Sequence, residues 1–364
     1  MMGPWCRQPC TPPHPGSRAM LHSRLTLLDD GIPAAAIRAT APRLSTLDFL
    51  GRMPVPLRHG FAAGLERAAA AAGGRRICFL MGHEWYAPFD DMLRAGPLSG
   101  VPHLVVSPFT RDLLSPPFQQ FLRAAGHCAG PAAPVHPAVA EAGLVDPEGL
   151  FSVFAVIPWV FLIDLRKLAG RAVPRRWEDL LDPAYHRQIV FGGWRRPSDG
   201  TYPDCNDFLL LTLHRRFGVA GLRAFAANTR AILHNTAAAR FAGTGSEQGG
   251  AISILPWMQA DMCPHRDRTM VVWPEDGAMT MPIGSSVSGD HRGWVQPLID
   301  YLSGDALGRF LAQNRYPPTS GQIPQVLPPG AKLHWIGWDY TRSHDMTEET
   351  NVAMRIFFDA WDAG

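Results

Sequence analysis

His83, Glu84, Trp85 and Tyr86 follow an apolar run, RRICFLMG (75–82), so an imidazole, a carboxylate and two aromatic rings gather where a strand ends. That mixture suits either a metal ion or a polar organic solute. Ser107 opens a second such loop, SPFT (107–110). A third group lies in RRPSDGTYPDCND (195–207), where Arg195, Arg196, Ser198, Asp199, Gly200 and Thr201 precede a helical pattern at 206–218. Helix N-termini present unpaired N–H groups and a partial positive charge, so this stretch fits an anion cradle. Asp199, Asp204 and Asp207 oppose an anion unless they cap the helix or pair with the arginines. Trp257 and Trp273, with Glu275 and Asp276, form a fourth group that could close over a ligand, and tryptophan faces would favour an amine. Plainer readings stay open beside these: the 195–207 residues are also ordinary turn and cap formers, and aromatic rings more often fill cores.

Catalytic signatures are missing from the sequence. His83–Glu84 has no histidine at position 87, so the helical zinc-protease motif is not formed. GTGSEQGG (243–250) lacks the Lys-Ser/Thr of a phosphate loop and reads as a plain loop, while GSSVSG (284–289) is not a nucleophile elbow. Cys205 has no neighbour that marks it as a nucleophile. Cys6, Cys10, His14 and His22 are soft ligands in a short span, but their spacing fits none of the usual zinc modules. No enzymatic activity and no cofactor are expected, and the metal question stays unassigned.

Elements must hold these groups in place. The chain has 364 residues, beyond the ~250–300 at which a single core stops growing, so two lobes are expected. Apolar types make up 46% and charged types 18%, which supports packed cores over disorder. Lys plus Arg is 34 against Asp plus Glu 32, giving no bulk charge for a nucleic-acid or membrane-surface partner. FAAGLERAAAAAGG (61–74) predicts a helix stopped by glycine, RRICFLMG and VPHLVVS (101–107) predict strands, and PPFQQFLRAAGHC (116–128) predicts a helix, an alternation that implies a parallel sheet. LFSVFAVIPWVFLIDLRKL (150–168) is too long for an average strand and is broken by Pro158, as expected of a segment passing between two sheets. QIVFGG (188–193), NDFLLLTLHRRFG (206–218), GVAGLRAFAANT (218–229) and AISILPWM (251–258) give a second strand and helix set, and 269–288 suits a return crossing. Hinge crossings are placed near 156–164 and 272–284. In residues 1–50 only LTLLDDGIPAAAI suggests a helix. Helices are also predicted at 294–314 and 349–363.

The order of segments resembles the solute-binding proteins of bacterial ABC importers, in particular the iron(III)-type group with the two-lobed periplasmic-binding class II fold. The strings that carry it are DLRKL, PRRWEDLLDPAY (174–185), QIVFGG, ILPWM (254–258), PEDGAMTMPIG (274–284), LIDYLSGDALGRFLAQNRYPP (298–318) and AKLHWIGWDY (331–340). The resemblance implies an α/β protein with a first lobe of 56–158 and 276–330, a second of 159–275, an N-terminal appendage of 1–55 and a C-terminal segment, 331–364, packed on the lobes. It further implies hinge closure on a small polar solute or metal complex, permease and ATPase subunits as partners, a monomer, and a periplasmic location. Two departures stand out. Iron-binding members often use adjacent tyrosines near the place where this chain has Pro256–Trp257, and none of its six tyrosines is adjacent to another. The N-terminus carries no uninterrupted apolar signal stretch, which keeps a cytosolic sensor, or a metal-assisted enzyme using His83 and Glu84, as alternative expectations.

Overall fold

The computed structural model describes residues 25–28, 47–73, 75–80, 100–131, 134–193, 205–324 and 326–363. Strands are β1 (Leu25–Leu28), β2 (Phe49–Arg52), β3 (Ile77–Leu80), β4 (Leu104–Pro108), β5 (His127–Cys128), β6 (Ser152–Asp164), β7 (Ile189–Gly192), β8 (Thr229–Leu233), β9 (Ile252–Pro256), β10 (Thr269–Val272), β11 (Ala278–Ser288) and β12 (Leu333–His334). The helices used below are α1 (Arg58–Ala71), α2 (Arg111–Leu114), α3 (Pro116–Ala124), α4 (Cys205–Asn228), α5 (Asn235–Phe241), α6 (Gln296–Ser303), α7 (Asp305–Gln313), α8 (Trp338–Ser343) and α9 (Met346–Ala363).

β1, β3, β2 and β4 run parallel in that spatial order, and β4 then meets β11 antiparallel. A second ladder holds β7 between β8 and β9, all parallel, with β9 antiparallel to β6. β6 belongs to both. Its residues up to Pro158 pair with β11, and from Trp159 onward it pairs with β9 and β10. Pro158 therefore sits where one ladder hands over to the next, a place where a residue without an N–H costs least. The return path lies alongside: β10 covers the second half of β6, the chain turns through Gly277 at φ 99°, and β11 runs back along the first half. This is a two-lobed α/β fold with two crossings, as the apolar run around Pro158 implies.

Glycines end and break helices where the sequence places them. α4 is interrupted at Gly218, whose φ of 66° is a left-handed conformation that glycine adopts without Cβ strain. The 294–314 prediction divides at Gly304 into α6 and α7. Two expectations need correction. The helix proposed within LTLLDDGIPAAAI is, at Leu25–Leu28, a strand paired with β3. Residues 1–55 do not form an appendage throughout, because β2 lies between β3 and β4 with Phe49 and Leu50 fully buried. Four residues in a proline- and arginine-rich stretch are too few to show a period of two, so burial on both faces of a parallel sheet is invisible there.

The C-terminal helix α9 packs along α4 and also touches α2, which follows β4, so this last element contacts both halves. No helix among the described residues is long and apolar enough to cross a membrane.

Candidate functional site

Register fixes where the carboxyl ends of the parallel strands lie. Pro108, closing β4, pairs with Ile283, three residues and so about 10 Å along β11 from the Thr280–Pro158 pair. Pro256, closing β9, pairs with Trp159 on the other side of the same crossing. The strand ends of the two ladders thus approach the crossover from opposite sides, and loops leaving them converge there. In open parallel sheets this is where ligands bind.

On the first side, Arg52 at the end of β2 is 2% exposed. Its Nε donates to Ser107 Oγ, and its Nη2 donates to Thr110 Oγ1 at 2.7 Å and to the Pro108 carbonyl at 3.3 Å. Ser107 is fully buried and its hydroxyl is engaged with Arg52 and the Pro108 carbonyl, so it anchors the strand end. On the second side, Gly192 closes β7 directly against Asn235, whose Oδ1 would lie 1.7 Å from any added Cβ. A side chain there would have to displace the Asn235 amide, and the Ile254 carbonyl lies 3.3 Å from the same point.

An aromatic row fills the space between. Phe109, just after β4, meets Trp338 edge-on with centroids 5.7 Å apart, and Phe151 stacks on Trp338 at 6.0 Å. Trp338 touches Trp335 at 5.5 Å, Trp335 stacks on Phe208 of α4 at 5.9 Å and 13°, and Phe208 stacks on Trp159 of β6 at 6.4 Å and 20°. All six rings are buried. The indole N–H groups of Trp159, Trp335 and Trp338 have no hydrogen-bond partner. Sequence reasoning missed this row, because its members come from four separate segments; the spacing of Trp335 and Trp338 by three was the one available signal.

Asp276 accepts from Arg216 Nη2 at 2.8 Å and from the Trp177 backbone N–H at 3.1 and 3.3 Å, tying α4 to the return path. His334, next to Trp335, is pushed down to about 4 by burial, with Arg216 adding to the shift, so its imidazole is neutral at pH 7.

The other predicted groups are placed as follows. Trp257 and Trp273 do meet, edge to face at 5.3 Å, but the cation over Trp257 is the chain's own Arg315, 5.1 Å above the ring and bonded to Asp261 at 3.0 Å. Glu275 is more than half exposed and lies 3.6 Å from Arg175. Trp257 lies in a second buried cluster, apart from the one that holds the aromatic row. His83, Glu84, Trp85 and Tyr86, together with Arg195, Arg196, Ser198, Asp199, Gly200 and Thr201, lie outside the described residues, as do Cys6, Cys10, His14 and His22. The GTGSEQGG loop is clasped from within: Lys167 Nζ donates to the Ser246 and Gly249 carbonyls, and Asp164 accepts from Gly243 N at 2.7 Å. Among the described residues no three His, Cys, Asp or Glu side chains gather as metal ligands would.

The sequence model of the family described as bacterial extracellular solute-binding protein matches residues 99–344, about two thirds of the chain. Among curated protein sequences none matches. Similar solved structures include the apo ferric ion-binding protein A of Pasteurella haemolytica, with 13% identity and a TM-score of 0.58 over 86% of this chain and 98% of that one. The IdiA (FutA) protein of Trichodesmium, in complex with iron and citrate, gives 15% identity and a TM-score of 0.57 over 85% and 98%. The substrate-binding protein of an ABC transporter from Agrobacterium tumefaciens gives 13% and 0.57 over 87% and 94%.

Proposed function

The chain belongs to the bacterial extracellular solute-binding proteins, and from that premise we propose that it captures its solute between the two halves and releases it unchanged to a membrane importer. The observation that carries this reading is the double membership of β6, with the strand ends of both ladders brought to the crossover. A segment that is a strand in two sheets can bend where the pairing changes, near Pro158, while each sheet keeps its own hydrogen bonds. A solute touching both sides favours the closed arrangement only by the contacts it gains there. We place the division at 158/159 and 275/276, with Arg52, Ser107 and Thr110 on one wall and the Gly192–Gly193 turn and the start of α4 on the other. His83, Glu84, Trp85 and the 195–201 loop follow these walls in sequence, and we propose them as further contacts for the solute. Trp257 and Glu275 support its floor and rim.

The same reading includes permease and ATPase partners, a periplasmic location and a monomeric state. No two tyrosines are adjacent in the sequence to supply paired phenolates for ferric iron. Tyr185, Tyr301 and Tyr340 donate their hydroxyls to Ala172 O, Phe61 O and Glu349, and burial raises each above the ordinary phenol range, opposite to what an iron-binding phenolate needs.

Native mass spectrometry of freshly purified protein tests the capture. A co-purified small molecule or ion, released intact on unfolding and raising Tm when restored, is the expected result. Conversion of the released molecule into a different product on re-addition would replace capture with catalysis.

A further inference from the structure

Indole is a two-sided recognition element: its faces stack on other π systems, and its N–H edge is a donor with no acceptor capacity. Trp159, Trp335 and Trp338 are 0%, 6% and 4% exposed, and none of their N–H groups has a hydrogen-bond partner. A buried donor left unsatisfied is costly, and native structures contain few of them. Three of the thirteen such side-chain atoms among the described residues lie along this row, where Trp338 touches Trp335 and Phe208 joins Trp335 to Trp159. Donors that share one row can be satisfied together by acceptors from outside the chain.

The row also has a natural parting line. Trp338 rests on Phe109 and Phe151 of the first side, and α8 packs on α3 there. Phe208 belongs to α4, which follows β7 of the second ladder. The Trp335–Phe208 stack is the contact that opening of the two halves would separate, exposing two nearly parallel faces to solvent.

We infer that this row is the ligand seat and that the ligand is a planar, conjugated acid. Its ring replaces the Trp335–Phe208 stack, and its carboxylate or other anionic oxygens accept from the indole N–H groups. Stacking alone would accept a planar amine as well. The donors decide for an acid, because a cation brings no acceptor to an N–H edge, whereas a hydrogen bond to an ionised oxygen is stronger than a neutral one. Asp276, on the return path, is engaged by Arg216 and the Trp177 amide. This inference rests on the capture reading above and adds the ligand's chemical class.

The test is calorimetric titration and thermal shift of the full chain with three planar acids (nicotinate, 4-hydroxybenzoate and quinoline-2-carboxylate) and three non-planar solutes (ferric citrate, spermidine and methylphosphonate). At least one planar acid should bind saturably, and the Trp335→Phe/Trp338→Phe variant, which keeps rings but loses both donors, should bind it at least tenfold more weakly. Indole N–H resonances of the wild-type protein labelled with 15N-tryptophan should shift on addition of that acid, a readout that needs no substitution. Saturable binding of a non-planar solute with affinity unchanged in the double variant would overturn the ligand class and leave capture standing. A planar acid bound equally well by both proteins, with the indole resonances unmoved, would overturn the seat. Failure of all six, together with no co-purified species, would overturn both readings.

Discussion

Asp276 shows how one carboxylate can fix the relation between a helix and a crossing. Its side chain is 5% exposed, and the Arg216 guanidinium that neutralises it is 23% exposed. Removing a partner from a buried pair leaves a charge without compensation, so Arg216→Ala should cost about 3 kcal/mol. Asp276→Asn leaves a neutral amide and an arginine that can reach water, and should cost less, on the order of 1–2 kcal/mol. Urea midpoints give both values, and the reverse ranking would mean that Arg216 acts through packing alone. The histidines set a pH dependence whose sign follows from burial. His127 and His334 are both pushed down to about 4, with desolvation the largest cause. In the unfolded chain they titrate near ~6.5. Between these values the unfolded state binds more protons, so their contribution is present above about pH 6.5 and is lost as pH falls towards 4, up to roughly 3 kcal/mol per group. Urea unfolding at pH 7 and pH 4.5 should show the loss, and His127→Gln/His334→Gln should make it smaller. An equal loss in the variant would assign the effect to other groups.

At the scale of elements, the crossing strands are the least tolerant part of the chain. A Cβ on Gly284 of β11 would lie 2.5 Å from the Phe109 ring and 2.9 Å from the Ser152 carbonyl, and that backbone atom cannot rotate away. Gly284→Ala should therefore destabilise by about 1–3 kcal/mol and disturb Phe109, the first ring of the row. Unchanged thermal unfolding would show that β11 and β6 shift apart freely at this point. The same strands account for what could be read from sequence. β6 announces itself by an apolar run that contains a proline, a combination that an ordinary central strand avoids. α4 and its break follow from Gly218. β2 escapes notice since four residues carry no period, and the row escapes because the Phe109–Trp338 and Phe208–Trp335 contacts join positions more than a hundred residues apart. Local pattern reports which face of an element is apolar and says nothing of which distant ring will meet it.

For the whole molecule, two parallel-stranded ladders share one long strand and are held a second time by the antiparallel return of β10 and β11. Such a pair of connections allows rotation about a line through the crossover and resists shear, since both paths lie side by side on β6. α9 limits the rotation, because it packs on α4 and also reaches α2. Family membership supplies the role of solute binding; the place of capture and the motion of the halves are the proposal drawn from the shared strand. Small-angle X-ray scattering on the protein stripped of its co-purified solute, and again after that solute is restored to saturation, measures this motion directly. A smaller radius of gyration and a sharper distance distribution are expected with solute bound, fully reversible on removal. An identical scattering profile in both states, at demonstrated saturation, would contradict it.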